Sequence, residues 1–179
     1  YEEGDPTLIF SPSLHTIGYD PFYALSNQSS EQEIYEVMST IALSLIPHRS
    51  GKNEIWPSLA RSTLIGILVY AYKYRRMTNF AECIKYILST PMRGIVTEVL
   101  SDTSSESVPY IQLVQFQDIS DEVLANVTTN LFDAIRIFGV DQDLVYALGN
   151  ALERWTPEIL LYKNVALCLN VEEMSRWGQ

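Results

Sequence analysis

The sequence predicts a mainly α fold: a compact multi-helix domain with a short β segment near each end. Three observations carry this. Apolar residues recur at steps of three and four in run after run, with Ser or Asn at the openings and Pro or Gly at the closings. One run, Leu64–Tyr72 within NEIWPSLARSTLIGILVYAYKY, has no charge and is apolar on every side of a helical wheel, as in a helix buried by its neighbours. TLIF at Thr7–Phe10 and VALCL at Val165–Leu169, near the two ends, look like strands.

Taken in order, Thr7–Phe10 leads into SPSLHTIGYDPF, which Pro12, Gly18 and Pro21 break into irregular structure. SSEQEIYEVMSTIALSLIP is the first helix. Ser29 and Ser30 are its candidate caps, and Glu31 and Glu33 suit the positive end of its dipole. Ile34, Val37, Met38, Ile41 and Leu45 form its apolar face, and Pro47 stops it. HRSGKNE is a loop, and Pro57 suits the first helical position of the charge-free helix beyond it. That helix is expected to be the central one against which the others pack.

A third helix starts near Thr78 or Asn79, where Asn79 with Glu82 is a capping-box pattern and Phe80, Ile84, Ile87 and Leu88 face inward. Pro91 ends it or opens a fourth, which runs to about Leu100. SDTSSES is a polar linker. PYIQLVQFQ fits helix or strand, and its helical surroundings favour helix. Ser120 opens the clearest amphipathic helix, with Val123, Leu124, Val127, Leu131, Ile135 and Phe138 inward and Asp121, Glu122, Asn126, Asn130 and Asp133 outward. Gly139 is its expected stop. A short helix at Asp141–Leu148, a turn around Thr156–Leu161 and the strand-like NVALCLNV complete the chain.

At 179 residues the chain has the length of one domain, able to bury roughly 70% of its unfolded surface without staples. The two cysteines, Cys83 and Cys168, lie in apolar runs and are expected to behave as small buried hydrophobes, which fits a reducing compartment. Twelve basic against 22 acidic side chains give a net charge of −10. That disfavours nucleic acid and anionic membranes and suits a partner with a basic face. The opening YEEGDP is no signal peptide, and the missing initiator Met suggests a piece of a longer protein. The charge-free run extends over about 12 residues with Ser62 and Thr63, short of the ~20 that span a bilayer.

Catalytic patterns find no support. SGKN holds the Gly-Lys of a phosphate loop, but Ile46 stands where the first Gly belongs and Asn53 where Ser or Thr belongs. His15 and His48 lie in separate loops without partners at metal-ligand spacing, and no Ser sits in a nucleophile elbow. The acidic pairs Glu2–Glu3, Asp121–Glu122 and Glu172–Glu173 are accounted for as exposed or helix-opening carboxylates. Asn27–Ser29 and Asn126–Thr128 match a glycosylation pattern that matters only in a secreted protein. No catalytic, cofactor or metal residue is therefore expected. Lys73, Arg75 and Arg76, in YAYKYRR, are the one dense basic group. They could contact a partner or single-stranded DNA, or simply reach solvent from the end of a buried helix.

The order of these pieces resembles the insert domain of TraG/TraD-type coupling proteins, the hexameric ATPases that feed substrates into conjugative type IV secretion systems. IFSP followed by GYDPF resembles the family's strand and Pro-containing turn. Trp56, Ala60, Arg61 and Leu64 fit a W-x-x-x-A-R-x-x-L-like stretch. QFQDISDEVLANVTTNLFDAIRIFGVDQDLVYAL supplies Phe116, Ser120, Phe138, Asp141, Ala147 and Leu148 in the family's order. NVALCLNVEEMSRW looks like the strand re-entering the motor, although Asn170–Val171 replace the usual Ile-Pro.

The resemblance implies one domain over residues 1–179. Residues 1–22 and 164–179 would be boundary segments to a RecA-like motor, and 23–163 an all-α body. It further implies a monomeric fragment of a membrane-anchored, hexameric parent, on the cytoplasmic side of the bacterial inner membrane. ATP and Mg would bind in the parent motor and not in this fragment. The partners implied are a relaxase or relaxosome or accessory proteins, with single-stranded DNA contact at most weak. The competing expectation is a helical small-ligand or enzyme domain unrelated to conjugation, in which several of His15, Asp20, His48 and Arg61 would meet in one cleft.

Overall fold

The structure, a computed structural model, describes residues 7–48, 54–159 and 166–169. It is mainly helical, with short strands only where the chain enters and leaves the helical body. Helix α1 (Glu31–Leu45) opens with a reciprocal cap: the Ser30 side chain accepts from the Glu33 amide, and the Glu33 carboxylate accepts from the Ser30 amide at 2.7 Å. It ends two residues before Pro47, as expected. Helix α2 (Ile55–Lys73) begins earlier than expected, so Pro57 is its third residue and not its first.

Every residue of α2 from Thr63 to Tyr72 is buried, because α1, α5 and α6 pack around it and α3 and α4 touch it. A helix apolar on all sides needs such neighbours on all sides. Gly66 lets one of them come close: a Cβ there would lie 2.8 Å from the Cβ of Gln112 on α5. The charge-free run is therefore the axis of the core. No helix among the described residues is long and apolar enough to cross a membrane.

Helix α3 (Phe80–Ser89) is capped by Asn79, whose side chain accepts from the Glu82 amide, and α4 (Met92–Asp102) starts directly after Pro91. The SDTSSES segment is less of a linker than its composition suggests. Ser101 and Asp102 extend α4, and Ser107 is buried, capping α5 (Val108–Leu113) by accepting from the Tyr110 amide. PYIQLVQFQ is helical, α5 continuing into a 3-10 turn at Val114–Phe116. Arg93 fastens the next turn, donating to the Phe116, Gln117 and Ile119 carbonyls and to Asp121.

Helix α6 (Asp121–Ile135) is capped by Ser120 and buries Leu124, Val127, Leu131 and Ile135. Gly139 is not its stop. The chain continues helically as α7 (Ile137–Val140), and the end comes at Asp141, whose carboxylate accepts from the Asp143 and Leu144 amides and caps α8 (Gln142–Val145). Gly139 serves packing instead, since a Cβ there would lie 2.5 Å from Leu88 Cδ1. A π-helical turn, Tyr146–Asn150, follows.

The entering strands β1 (Thr7–Phe10) and β2 (Gly18–Tyr19) pair with the leaving strands β4 (Ala166–Leu169) and β3 (Arg154–Trp155). Both pairs are parallel, with Thr7 opposite Ala166 and Gly18 opposite Arg154. At two residues each, β2 and β3 are too short to show alternation, so the sequence carries no signal for them. The expected turn is present from Thr156 to Ile159, while Leu160 and Leu161 lie outside the described residues. Of the cysteines, Cys83 is buried and its thiol is pushed up to about 12 by that burial. Cys168 is exposed, contrary to expectation, because among the described residues β1 is the one strand paired with β4.

Candidate docking trough beside α1

Helix α1 carries two apolar rows offset by three residues. Ile34, Met38 and Ala42 are buried against the core. Val37, Ile41 and Leu45 are only half-buried, because among the described residues no element covers them. They form one wall of a trough whose other wall is Phe80 of α3, Phe138 of α7 and Leu148 of the π turn. Within that wall Phe80 packs edge-on against Phe138 at 6.0 Å and, behind it, against Phe22 at 5.9 Å. Tyr19, Pro21 and Tyr23 also line the trough.

This upper part holds about 510 Å³. A lower part of about 1010 Å³ shares Ser44, Leu45 and Phe138 with it and continues past Pro47 and Pro57 toward Val140. The charged residues of the upper part reduce to Glu36, whose carboxylate accepts from Gln32 at 2.8 Å. In the lower part Arg136 is paired with Asp133 at 2.8 Å, and Asp141 adds a second carboxylate. The upper part is thus mostly apolar, while the lower part mixes apolar residues with Ser44, Asn130, Asp133, Arg136 and Asp141, and carboxylates outnumber cations along the whole lining.

The basic group expected from the sequence is spent largely on the fold. Lys73 donates to Glu31 at 2.5 Å, and the Glu31 carboxylate also accepts from the Val108 amide and the Tyr74 hydroxyl. Burial raises the Glu31 carboxyl, but these bonds outweigh it and hold the group below the usual carboxylate range. Arg75 pairs with Glu98 and lies over the Tyr86 ring at 5.2 Å. Arg76, exposed in a left-handed conformation (φ 58°), has no ion pair among the described residues.

Glu98 and Asp102, one turn apart on α4, also hold the Tyr70 hydroxyl, which donates to Asp102 at 2.7 Å and lies 3.1 Å from Glu98. Burial, the bond to Asp102 and the Glu98 charge push the Tyr70 hydroxyl well above its ordinary range. The Tyr70 bond in turn, followed by one from Ser101, holds the Asp102 carboxyl below its usual value of 3.8. A depressed carboxyl contributes stability above that value and loses it as pH falls through the folded pKa. Tyr70→Phe is therefore expected to lower Tm by about a few degrees at pH 7, with the gap from wild type narrowing below about pH 4. Thermal melts across that range, followed by circular dichroism, measure the difference; a pH-independent gap would assign it to packing.

The residues of the competing enzyme expectation do not gather in one cleft. His15 contacts Asp143 at 3.1 Å and stacks on Tyr146, while Asp20 pairs with Arg154 at 3.3 Å. His48 and Arg61 do meet, through Glu54, at 3.1 and 2.9 Å. None of these four lines the trough. Among the described residues no group of His, Cys, Asp and Glu is arranged to hold a metal.

The trough itself was hidden because Val37, Ile41, Leu45 and Phe138 share the spacing of core residues. Its signal is the second row on α1, one more than packing on α2 requires. The chain matches no protein-family model, no curated protein and no solved structure.

Proposed function

We propose that the chain is a non-catalytic recognition domain of a conjugative coupling protein. It would dock relaxase, relaxosome or other secretion-substrate proteins at the cytoplasmic mouth of a hexameric, membrane-anchored DNA-translocating ATPase. The observation that carries this reading is the parallel pairing of β1 with β4 around the helical body. Parallel sheets are ordinarily covered on both faces, and a two-stranded unit is marginal alone. Here Ile9 is 50% and Leu169 46% exposed, as expected of strands that belong to a larger parallel sheet. A helical body inserted between neighbouring strands of a motor sheet fits that arrangement, with ATP and Mg bound in the motor.

Protein is favoured over DNA as the partner, since Lys73 and Arg75 are paired with carboxylates and the chain carries a net charge of −10. A helical small-ligand domain is the competing reading. The upper trough has the volume for it, but Glu36 is the one charged side chain in its lining.

Replacing residues 23–163 of the parent by a short linker is expected to abolish substrate transfer while ATP hydrolysis persists. Unchanged transfer would end the recognition reading. The isolated chain is expected to show no salt-sensitive retention of a single-stranded oligonucleotide in a filter assay, and tight retention would reverse the choice of protein over DNA.

A further inference from the structure

We infer that the trough beside α1 is the docking groove for an amphipathic helix of a partner protein, with an apolar stripe and Lys or Arg flanking it. This rests on the recognition reading and adds the site and the chemistry of the occupant. From Glu36 to Leu45 the wall runs for about 14 Å at 1.5 Å per residue, roughly two and a half helical turns. The lower part prolongs it beyond the end of α1. Val37, Ile41 and Leu45 are one turn apart and face Phe80, Phe138 and Leu148. That spacing suits anchors at i, i+4 and i+7 of a helix laid lengthwise.

Charge decides the occupant. Glu36, Asp133 and Asp141 line the combined trough against a single cation, Arg136, already paired with Asp133. A helix with acidic flanks would be repelled by Glu36 in the upper part and Asp141 in the lower, and a cationic one attracted and oriented. An enclosed small-molecule site would call for converging polar groups that the upper trough lacks, and a nucleic acid strand would meet carboxylates.

The probe is a fluorescein-labelled synthetic peptide of four helical turns with Leu at i, i+4, i+7 and i+11 and Lys or Arg on the flanks, titrated with this chain in anisotropy. Two controls accompany it, one with Glu replacing every Lys and Arg, one with the same composition but the Leu scattered. The basic amphipathic peptide is expected to bind with a Kd of about 10–100 µM, and the controls at least tenfold more weakly. Thr40→Arg fills the groove from an exposed position and is expected to cost at least about tenfold in Kd, and Glu36→Lys about threefold. Unchanged melting curves of both variants show that the fold is kept.

Equal binding of the scattered peptide, equal binding of the acidic peptide, indifference to Thr40→Arg, competition by a single-stranded oligonucleotide, or no binding would each overturn the inference. The parent protein separates the two levels. If Thr40→Arg leaves transfer intact while removal of residues 23–163 abolishes it, the recognition reading stands and the groove falls. If removal leaves transfer intact, the recognition reading falls whatever the peptide does.

Discussion

Leu68→Asp is expected to abolish cooperative folding at 25 °C. Leu68 is 0% exposed in the middle of the buried stretch Thr63–Tyr72 of α2, and Leu64, Ile67 and Tyr72 near it are buried too. Helices α1, α5 and α6 enclose this axis, so no local tilt can bring a carboxylate to water. Removing the leucine alone costs about 2–5 kcal/mol in such a position. The carboxyl adds several kcal/mol whether it stays charged or protonates, since it would be buried among apolar side chains. The sum is on the order of the whole stability of a domain, ~5–15 kcal/mol. Far-UV circular dichroism and urea titration measure the effect, with Leu68→Ala as the graded control, expected to remain folded with a midpoint lowered by about 3 kcal/mol of stability. A Leu68→Asp protein melting within a few degrees of wild type would displace α2 from the centre of the core.

The elements that the sequence made legible are those whose signal is local. Ser30, Asn79 and Ser120 announce α1, α3 and α6 because a cap is decided within four residues. The charge-free run announced its own burial, because a helix without a polar face has no other place to be. What stayed hidden depends on partners distant in the chain. Gly139 has the chemistry of a helix stop, but the Asp141 carboxylate supplies a better one two residues later. Pairing of Gly18 with Arg154 is a contact over most of the chain and leaves no trace in either dipeptide.

The candidate site follows the same rule. Lys73 and Arg75 look like a free basic group until Glu31 and Glu98 are found opposite them on other helices. Val37, Ile41 and Leu45 have core spacing, and only the placement of α3 and α7 turns them into the wall of an open trough. Burial could be read from periodicity; which apolar row would lack a cover could not.

Arg61→Ala is expected to be the costliest polar substitution among the described residues, at about 2–4 kcal/mol, and to damage the trough along with the fold. Arg61 is 8% exposed, on the first buried stretch of α2. Its Nε donates to the Ile46 carbonyl at 2.8 Å, and a terminal nitrogen donates to Glu54 at 2.9 Å. One guanidinium thus holds the residue just past α1 and the residue just before α2. Alanine would leave a carbonyl and a carboxylate short of their donor. Glu54 keeps 29% of its side-chain exposure and a contact to His48, which places the loss below that of a fully enclosed pair.

Lysine has no planar fork to serve both acceptors, so Arg61→Lys should recover only part of the loss. A double-mutant cycle with Glu54→Gln, followed by urea denaturation, should give a coupling of about 1 kcal/mol or more; additive losses would mean that the pair is incidental. Ile46, Pro47 and Pro57 line the lower trough, so slackening this clasp should also weaken the basic amphipathic peptide, without any contact between peptide and Arg61. A variant that loses stability yet binds the peptide as wild type does would confine the groove to its upper part, between Val37 and Phe138.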